Sequence, residues 1–403
     1  MNIKNNIEIV RLDDQARGIG YVDNKITFIP NSLVGEIVNI EIQKETSKYY
    51  VGKVIDYVKI SDKRIKVSCP YYDKCGGCNL LHMSYDDQID YKLEKLKNIL
   101  NKFANINTDI EVIKNENIFG YRNKIDLKIV NGLWGYYNDS THDFISIDNC
   151  LIAKNSINNV IKYKEYFNIN NGNIVIRSNY NYEILISIFS EEEFNIDIES
   201  LKKYIKLVGI VVNDNIYYGD NFFIEKFNKK LFKVNYNSFF QVNNIVTKEM
   251  VRILSENSNG KILLDLYCGV GFLGQAISYK FDKIYGIEIN KNSILDAIYN
   301  SKLNNIDNSY YICGDSTKLS NVKDKIDTLF IDPPRTGLVG NLVKDIISTN
   351  VKKIIYVSCN PITLARDLNV LKDKFNIEKI YLLDMFSNTY HVESIAILTQ
   401  RNL

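Results

Sequence analysis

The chain of 403 residues has no apolar run approaching the roughly 18 residues that span a bilayer. Its opening stretch, "MNIKNNIEIV", lacks the basic-then-apolar layout of a secretory signal. These two absences predict a cytoplasmic protein with no membrane partner. An excess of one charge is missing too. Lys and Arg total 50 against 48 Asp and Glu, a net charge of +2, so a nucleic-acid surface would have to be a local patch. There is no internal repeat, no low-complexity linker and no pattern of a disulfide-stapled domain, because seven cysteines in a cytoplasmic chain argue for reduced thiols. With 24% charged and 45% apolar residues, the chain is of ordinary soluble composition and long enough for two or three domains with a large core. Nothing in it demands an obligate protein partner.

Along the chain the periodicity changes twice. Residues 1–58 hold short β-like runs broken by turn residues ("IEIVRL", "GIGYVDNKITFI", "EIVNIEIQKE"), which predicts a small OB-like barrel. Residues 59–238 begin with a cysteine-bearing loop, continue with a helix over Tyr85–Phe103 marked by Ile89, Leu93, Leu96, Ile99 and Leu100, and then become strand-rich. In residues 239–403 strands and helices alternate, and each apolar run ends on glycine or polar residues: "KILLDLYCG", "KIYGIEI", "SYYICGDS", "TLFIDPPR", "KIIYVSCNP". That pattern predicts an α/β domain, Rossmann-like with a mostly parallel, doubly wound sheet.

Strand ends of such a sheet hold ligands at their carboxyl edge. "LLDLYCGVGFLG" places Gly269, Gly271 and Gly274 in a G-x-G-x-x-G pattern, which suits dinucleotide and S-adenosylmethionine (SAM) enzymes alike. Glu288, ending the next strand 23 residues after Asp265, is placed to bind a ribose diol in either class. Asp315 ends the third strand, where it could meet an adenine amino group or simply cap the following turn. Asp332 precedes Pro333 and Pro334, which stiffen its loop, with Arg335 following. Cys359 closes the apolar run "IIYVSCNP", where a thiol is either a small buried hydrophobe or a nucleophile.

In combination, "DLYCGVGFLG", "IDPPRTG", "YVSCNPITLARDL" and "HVESIAIL" resemble the class I SAM-dependent methyltransferases, and within them the RNA uracil-5-methyltransferase family. The resemblance covers essentially the whole chain. It implies methyl transfer from SAM to uridine C5 through a covalent adduct, with Cys359 as nucleophile and Glu393 as general base. His391 is the alternative base by residue type. It also matches Gln241 and Tyr267, with Gly269, Gly271, Glu288, Asp315 and Asp332, to positions around the cofactor. The N-terminal segment is similar to the TRAM module of RNA-modifying enzymes, so RNA is the implied partner, bound with a flipped or single-stranded uridine. Cys268 and Cys313 read as packing residues.

The remaining cysteines are spaced Cys69-x5-Cys75-x2-Cys78, with Cys150 much later. Four thiolates suit tetrahedral zinc or a [4Fe–4S] cluster, and the 5+2 spacing leans toward iron–sulfur. The 23S rRNA branch of the family carries a cluster with a signature similar to "CPYYDKCGGCNLLH". That implies an iron–sulfur central domain and a 23S rRNA substrate, with tRNA as the alternative target.

Overall fold

The structure, a computed structural model, describes residues 2–138, 142–317, 319 and 322–401. The chain divides into two compact units. One comprises residues 1–95, 136–145 and 386–391; the other comprises 96–135, 146–385 and 392–403. Among the described residues no helix is long and apolar enough to cross a membrane.

The first unit carries a six-stranded sheet in the order Ile3–Glu8, Ile37–Glu45, Tyr49–Lys59, Lys25–Ile29, Gly18–Val22, Arg11–Leu12. The sheet curls on itself, because a Cβ at Gly20 would stand 2.5 Å from Ile7 Cγ2, in a strand that is not its sheet neighbour. Ile7, Ile9, Val22, Ile29, Val38 and Ile40 fill the interior of the curl. The chain leaving the sheet is tethered back by Arg64, whose Nε and Nη2 donate to the two carboxylate oxygens of buried Glu36 at 2.6 and 2.7 Å. In the same unit residues 386–391 are held by side chains. Gln88 Nε2 donates to Asn388 Oδ1 at 3.2 Å, and fully buried Lys92 donates to the Phe386 carbonyl at 3.0 Å.

The second unit contains a strand-rich half and an α/β half. In the former, Lys124–Val130, Gly172–Ser178, Glu183–Phe189, Lys206–Val212 and Asn215–Gly219 follow one another across a sheet, followed in the chain by the hairpin Phe222–Phe227/Lys230–Asn235. The α/β half is an eight-stranded sheet in the order Ser309–Cys313, Lys283–Glu288, Ile262–Leu266, Thr328–Ile331, Lys353–Ser358, Glu393–Gln400, Phe375–Leu383, Ile110–Ile113. The first five strands run parallel, whereas Glu393–Gln400 is antiparallel to both of its neighbours. From the strand Ile262–Leu266 the chain builds outward in one direction and then returns to its other side with Thr328–Ile331. The reversal opens a crevice beyond the carboxyl ends of those two strands.

The runs that read as continuous apolar stretches are the central strands. Thr328–Ile331 is buried throughout, as is Lys353–Ser358 apart from its first residue. Both faces of a parallel sheet are covered, so these strands show no alternation. The turn after Lys353–Ser358 owes its sharpness to two residues. Asn360 caps the helix Pro361–Leu371 by accepting from the Ile362 N–H at 3.1 Å, and Pro361 opens it at a position where no N–H is required.

Candidate active site

The crevice is floored by the loop after Ile262–Leu266. Tyr267, Gly269 and Gly271 all take positive φ values, of 62°, 52° and 74°, so the backbone reverses within five residues. At Gly271 a Cβ would lie 2.7 Å from both Tyr311 Oη and Gln275 Nε2, so at φ 74° a side chain there would be strained and would displace its neighbours. A Cβ at Gly269 would meet nothing within 4 Å, so that backbone faces open space. The Gly269 N–H donates to Glu288 Oε2 at 3.3 Å, and the Asn290 N–H donates to Oε1 at 2.8 Å, which fixes the Glu288 carboxylate at the end of its strand. The Tyr267 hydroxyl is buried without a hydrogen-bond partner. A buried phenol of that kind calls for a polar ligand atom.

Besides Glu288, four acids near strand ends line this crevice. Asp265, 2% exposed, accepts from the Gly274 N–H at 3.3 Å, and burial, with Asp332 and Glu288 nearby, pushes its carboxyl up to about 8. Burial pushes Asp332 up to about 7. Glu393 is 5% exposed, and burial followed by the charge of Asp332 raises its carboxyl well above the usual range, while Arg335 opposes the rise. Asp315 differs from these three: it is exposed at the third strand end, and its Oδ1 accepts from the Thr317 N–H at 2.9 Å, an Asx turn. Gln241 is buried and its carbonyl is held by Asn123 Nδ2 at 3.0 Å.

Cys359 and Glu393 are brought together by strand register. Ser358 pairs with Ser394 across the antiparallel ladder, so continuation by one residue sets Cys359 opposite Glu393. Burial and then the Glu393 charge push the Cys359 thiol up to about 11, and Arg335 works against both through its charge and a side-chain hydrogen bond. Burial thus disfavours the charged forms of both Cys359 and Glu393, and Arg335 opposes it at both. Glu393, Arg335 and Asp332 all bear electrostatically on Cys359.

Sequence reasoning did not assign a role to Arg335, to Asp265 or to the brace behind them. The Arg335 carbonyl accepts from Asn360 Nδ2 at 2.9 Å and from Thr363 Oγ1 at 3.3 Å. Asp367 Oδ2 accepts from the Leu338 N–H at 2.9 Å and from the buried Tyr356 hydroxyl at 2.7 Å, while Arg366 Nη2 donates to the Thr336 and Leu338 carbonyls. The helix after Cys359 thus clamps the "DPPRTG" loop, and Cys359 and Arg335 are positioned by one element. The signal was present in "NPITLARDL", but it shows only once the helix is seen to face the loop.

The other thiols behave as packing groups or stand apart. Cys268 is buried and its thiol is raised well above the ordinary value, mainly by burial, which makes it inert. Cys313 is exposed. Cys69, Cys75, Cys78 and Cys150 are partly exposed. The first three belong to one compact unit and Cys150 to the other. Among the described residues no three His, Cys, Asp or Glu side chains are grouped to hold a metal ion. The expected cluster is not evident in this arrangement.

The family model for tRNA (uracil-5-)-methyltransferases matches residues 84–325 and 315–401, together most of the chain. The chain belongs to this family. A TRAM domain model matches residues 5–55. An uncharacterized RNA methyltransferase of Clostridium tetani is 32% identical over 98% of this chain and 96% of its own length. One from Staphylococcus aureus is 27% identical over 98% of each. Among solved structures, the tRNA (uracil-54, C5)-methyltransferase of Pyrococcus abyssi in complex with S-adenosyl-L-homocysteine superimposes with a TM-score of 0.81 at 28% identity, covering 97% of this chain and 99% of that one. As a member of the uracil-5-methyltransferase family the protein is a SAM-dependent RNA methyltransferase. Its crevice suits that cofactor. SAM carries a sulfonium and an ammonium charge, and the site offers an acid-rich wall, a glycine cradle and an unsatisfied phenol.

Proposed function

We propose that the protein methylates uridine C5 in RNA through a covalent Cys359–C6 adduct, and that its substrate is 23S rRNA. The observation that carries the chemistry is the register that opposes Cys359 and Glu393 at the mouth of the crevice. Uracil C5 is too electron-poor to take a methyl group unaided. Addition of the Cys359 sulfur at C6 makes C5 nucleophilic, which splits one difficult step into easier ones. Arg335 favours the thiolate needed for that addition and stands ready to meet the negative charge it sends into the ring. Bound SAM supplies the electrophilic methyl group, held by Gln241, Tyr267, Gly269, Gly271, Glu288 and Asp315, with Asp332 beside the reacting centre. Glu393, ionised once a cationic cofactor is near, removes the C5 proton, and the Cys359 sulfur then leaves C6.

Three functional segments follow from this reading: a TRAM-type OB-like barrel over 1–58, a central RNA-binding domain over 59–238, and the methyltransferase domain over 239–403. Cys69, Cys75, Cys78 and Cys150 are assigned a [4Fe–4S] cluster on their 5+2 spacing and the softness of sulfur ligands. Iron and sulfide analysis of anaerobically purified protein, expected at four of each per chain and lost in Cys75→Ser, tests it. The rRNA target rests on the joint presence of the barrel and the four-cysteine signature. A tRNA target is the second reading, favoured by the likeness to the Pyrococcus abyssi enzyme.

RNA containing 5-fluorouridine provides the test of mechanism, because fluorine at C5 cannot be removed as a proton. A protein–RNA complex that survives denaturation, and that disappears in Cys359→Ala, is expected. Absence of any such complex with RNA that the enzyme methylates would overturn the mechanism.

A further inference from the structure

A second recess lies in the same compact unit, outside the catalytic crevice. It has a cavity volume of about 410 Å³ and is lined by, among others, Lys154, Lys226, Lys248, Tyr180, Tyr182 and Asn244. No acidic residue is among the described residues lining it. We infer that this recess binds one nucleotide of the RNA strand flanking the methylated uridine, its phosphate held by Lys226 and Lys248 and its base stacked on Tyr180 and Tyr182.

The polar side of the recess is built for an anion. The helix Asn155–Lys162 begins there, and no side chain caps its first turn. The Ile157 and Asn158 N–H groups donate to the Lys154 carbonyl at 3.0 and 3.1 Å, so what the helix offers a phosphate oxygen is the positive end of its dipole. Lys248 stands in the first turns of the helix Asn244–Asn257, and both it and Lys226 are exposed. Lys154 is partly buried, and its Nζ is committed to the Asn179 carbonyl at 3.2 Å, so it braces the wall. Beneath Lys226, buried Glu225 accepts from the Lys226 N–H at 3.1 Å. Burial pushes that carboxyl up to about 7, which weakens its negative charge beneath the recess.

The aromatic side is rigid. Tyr180 and Tyr182 are 43% and 63% exposed on the turn between Gly172–Ser178 and Glu183–Phe189. Asn179 ties that turn together: its Oδ1 accepts from the Asn181 and Glu183 N–H groups at 2.9 and 3.0 Å, and its Nδ2 donates to the Ile224 carbonyl at 2.8 Å. Tyr182 is held at φ 61°, a conformation that a bulky residue adopts only when its surroundings impose it. Lys226 Nζ lies 5.9 Å from the centre of the Tyr180 ring, so charge and π-face are presented together. Braced tyrosines beside exposed lysines are the means by which single strands are held without base readout. Asn123 links the recess to the cofactor side, since its Nδ2 donates both to the Gln241 carbonyl at 3.0 Å and to Asn244 Oδ1 at 3.1 Å. A strand lying in the recess would therefore pass close to the base of the cofactor-binding segment.

This inference rests on the reading of the protein as an RNA enzyme, and a binding assay separates the two. The anisotropy of a fluorescent RNA transcript is titrated with wild type, Lys226→Gln/Lys248→Gln and Tyr180→Leu/Tyr182→Leu across a salt series. The altered side chains are exposed, so matched thermal melting confirms that folding is intact. The lysine variant should lose roughly 0.7 from the slope of log affinity against log salt, the value for one phosphate on a single strand. The tyrosine variant should bind roughly tenfold or more weakly. SAM affinity and kcat at saturating RNA should stay within twofold of wild type in both. Unchanged RNA affinity and salt slope in both variants would overturn the inference, as would loss of SAM binding alone. Binding is read without turnover. A wild type that binds RNA but methylates none of it therefore counts against the proposed function, while the variants still decide whether the recess holds the strand.

Discussion

Replacement of Asp265 by Asn should flatten the fall of stability with rising pH. Asp265 is a carboxyl whose native value lies near 8, against an ordinary 3.8, because it is 2% exposed. The sign follows from proton counting. The native state keeps the proton over a range where the unfolded state has released it, so stability declines as pH rises from about 4 toward 8. At about 1.36 kcal/mol per pH unit, the interval from pH 5 to pH 7 costs the ligand-free wild type roughly 3 kcal/mol through this residue alone. On a large domain that corresponds to a shift in Tm on the order of 6 °C. Asn retains the acceptor for the Gly274 N–H but does not ionise, so the variant should match wild type near pH 5 and exceed it by roughly that amount near pH 7. Asp332 and Glu393 slope in the same direction in both proteins and cancel in the comparison. Differential scanning calorimetry of the ligand-free proteins at the two pH values is the assay. Parallel pH dependences for wild type and the Asp265→Asn variant would refute the claim that this carboxyl is held neutral.

Other perturbations probe the reacting groups. Cys359→Ala should abolish turnover, with single-turnover kinetics showing no product above background. Glu393→Gln should allow the adduct to form but leave the C5 proton in place, so a covalent RNA complex should accumulate on a denaturing gel; normal turnover without that complex would remove Glu393 from the base role. Arg335→Gln removes the cation that lowers the Cys359 thiol, so kcat/KM at pH 7 should fall by on the order of tenfold and recover partly toward pH 9. Asp367→Asn loosens the clamp on the Leu338 N–H and should lower kcat more than it changes SAM affinity, read by isothermal titration beside steady-state kinetics.

The α/β sheet was legible because its buried parallel strands leave uninterrupted apolar runs, at whose carboxyl ends Asp265, Glu288, Asp332 and Cys359 stand. The helix foreseen over Tyr85–Phe103 is present as Tyr85–Ala104, one residue longer, since its Ile and Leu spacing is set by local geometry. Less legible was whatever depends on two distant segments meeting. The opposition of Cys359 and Glu393 needed the antiparallel register of the last strand, which no local pattern encodes. The clamp from Tyr356, Arg366 and Asp367 onto residues 335–338 is a set of contacts between a helix and a loop about thirty residues apart. The raised carboxyls were invisible for the same reason, because burial belongs to the assembled crevice. Spacing of Cys69, Cys75 and Cys78 suggested a cluster, yet ligand spacing states only which thiols could meet.

The central claim, methylation of uridine C5, is tested most directly by a nucleoside digest. Protein purified without oxygen is incubated with SAM and, separately, with unmodified rRNA and tRNA, and the digested RNA is analysed by mass spectrometry for 5-methyluridine. The account predicts 5-methyluridine in 23S rRNA, formed by wild type and absent with Cys359→Ala. The same product in tRNA alone would move the substrate and keep the chemistry, whereas a methylated nucleoside other than 5-methyluridine would contradict the account.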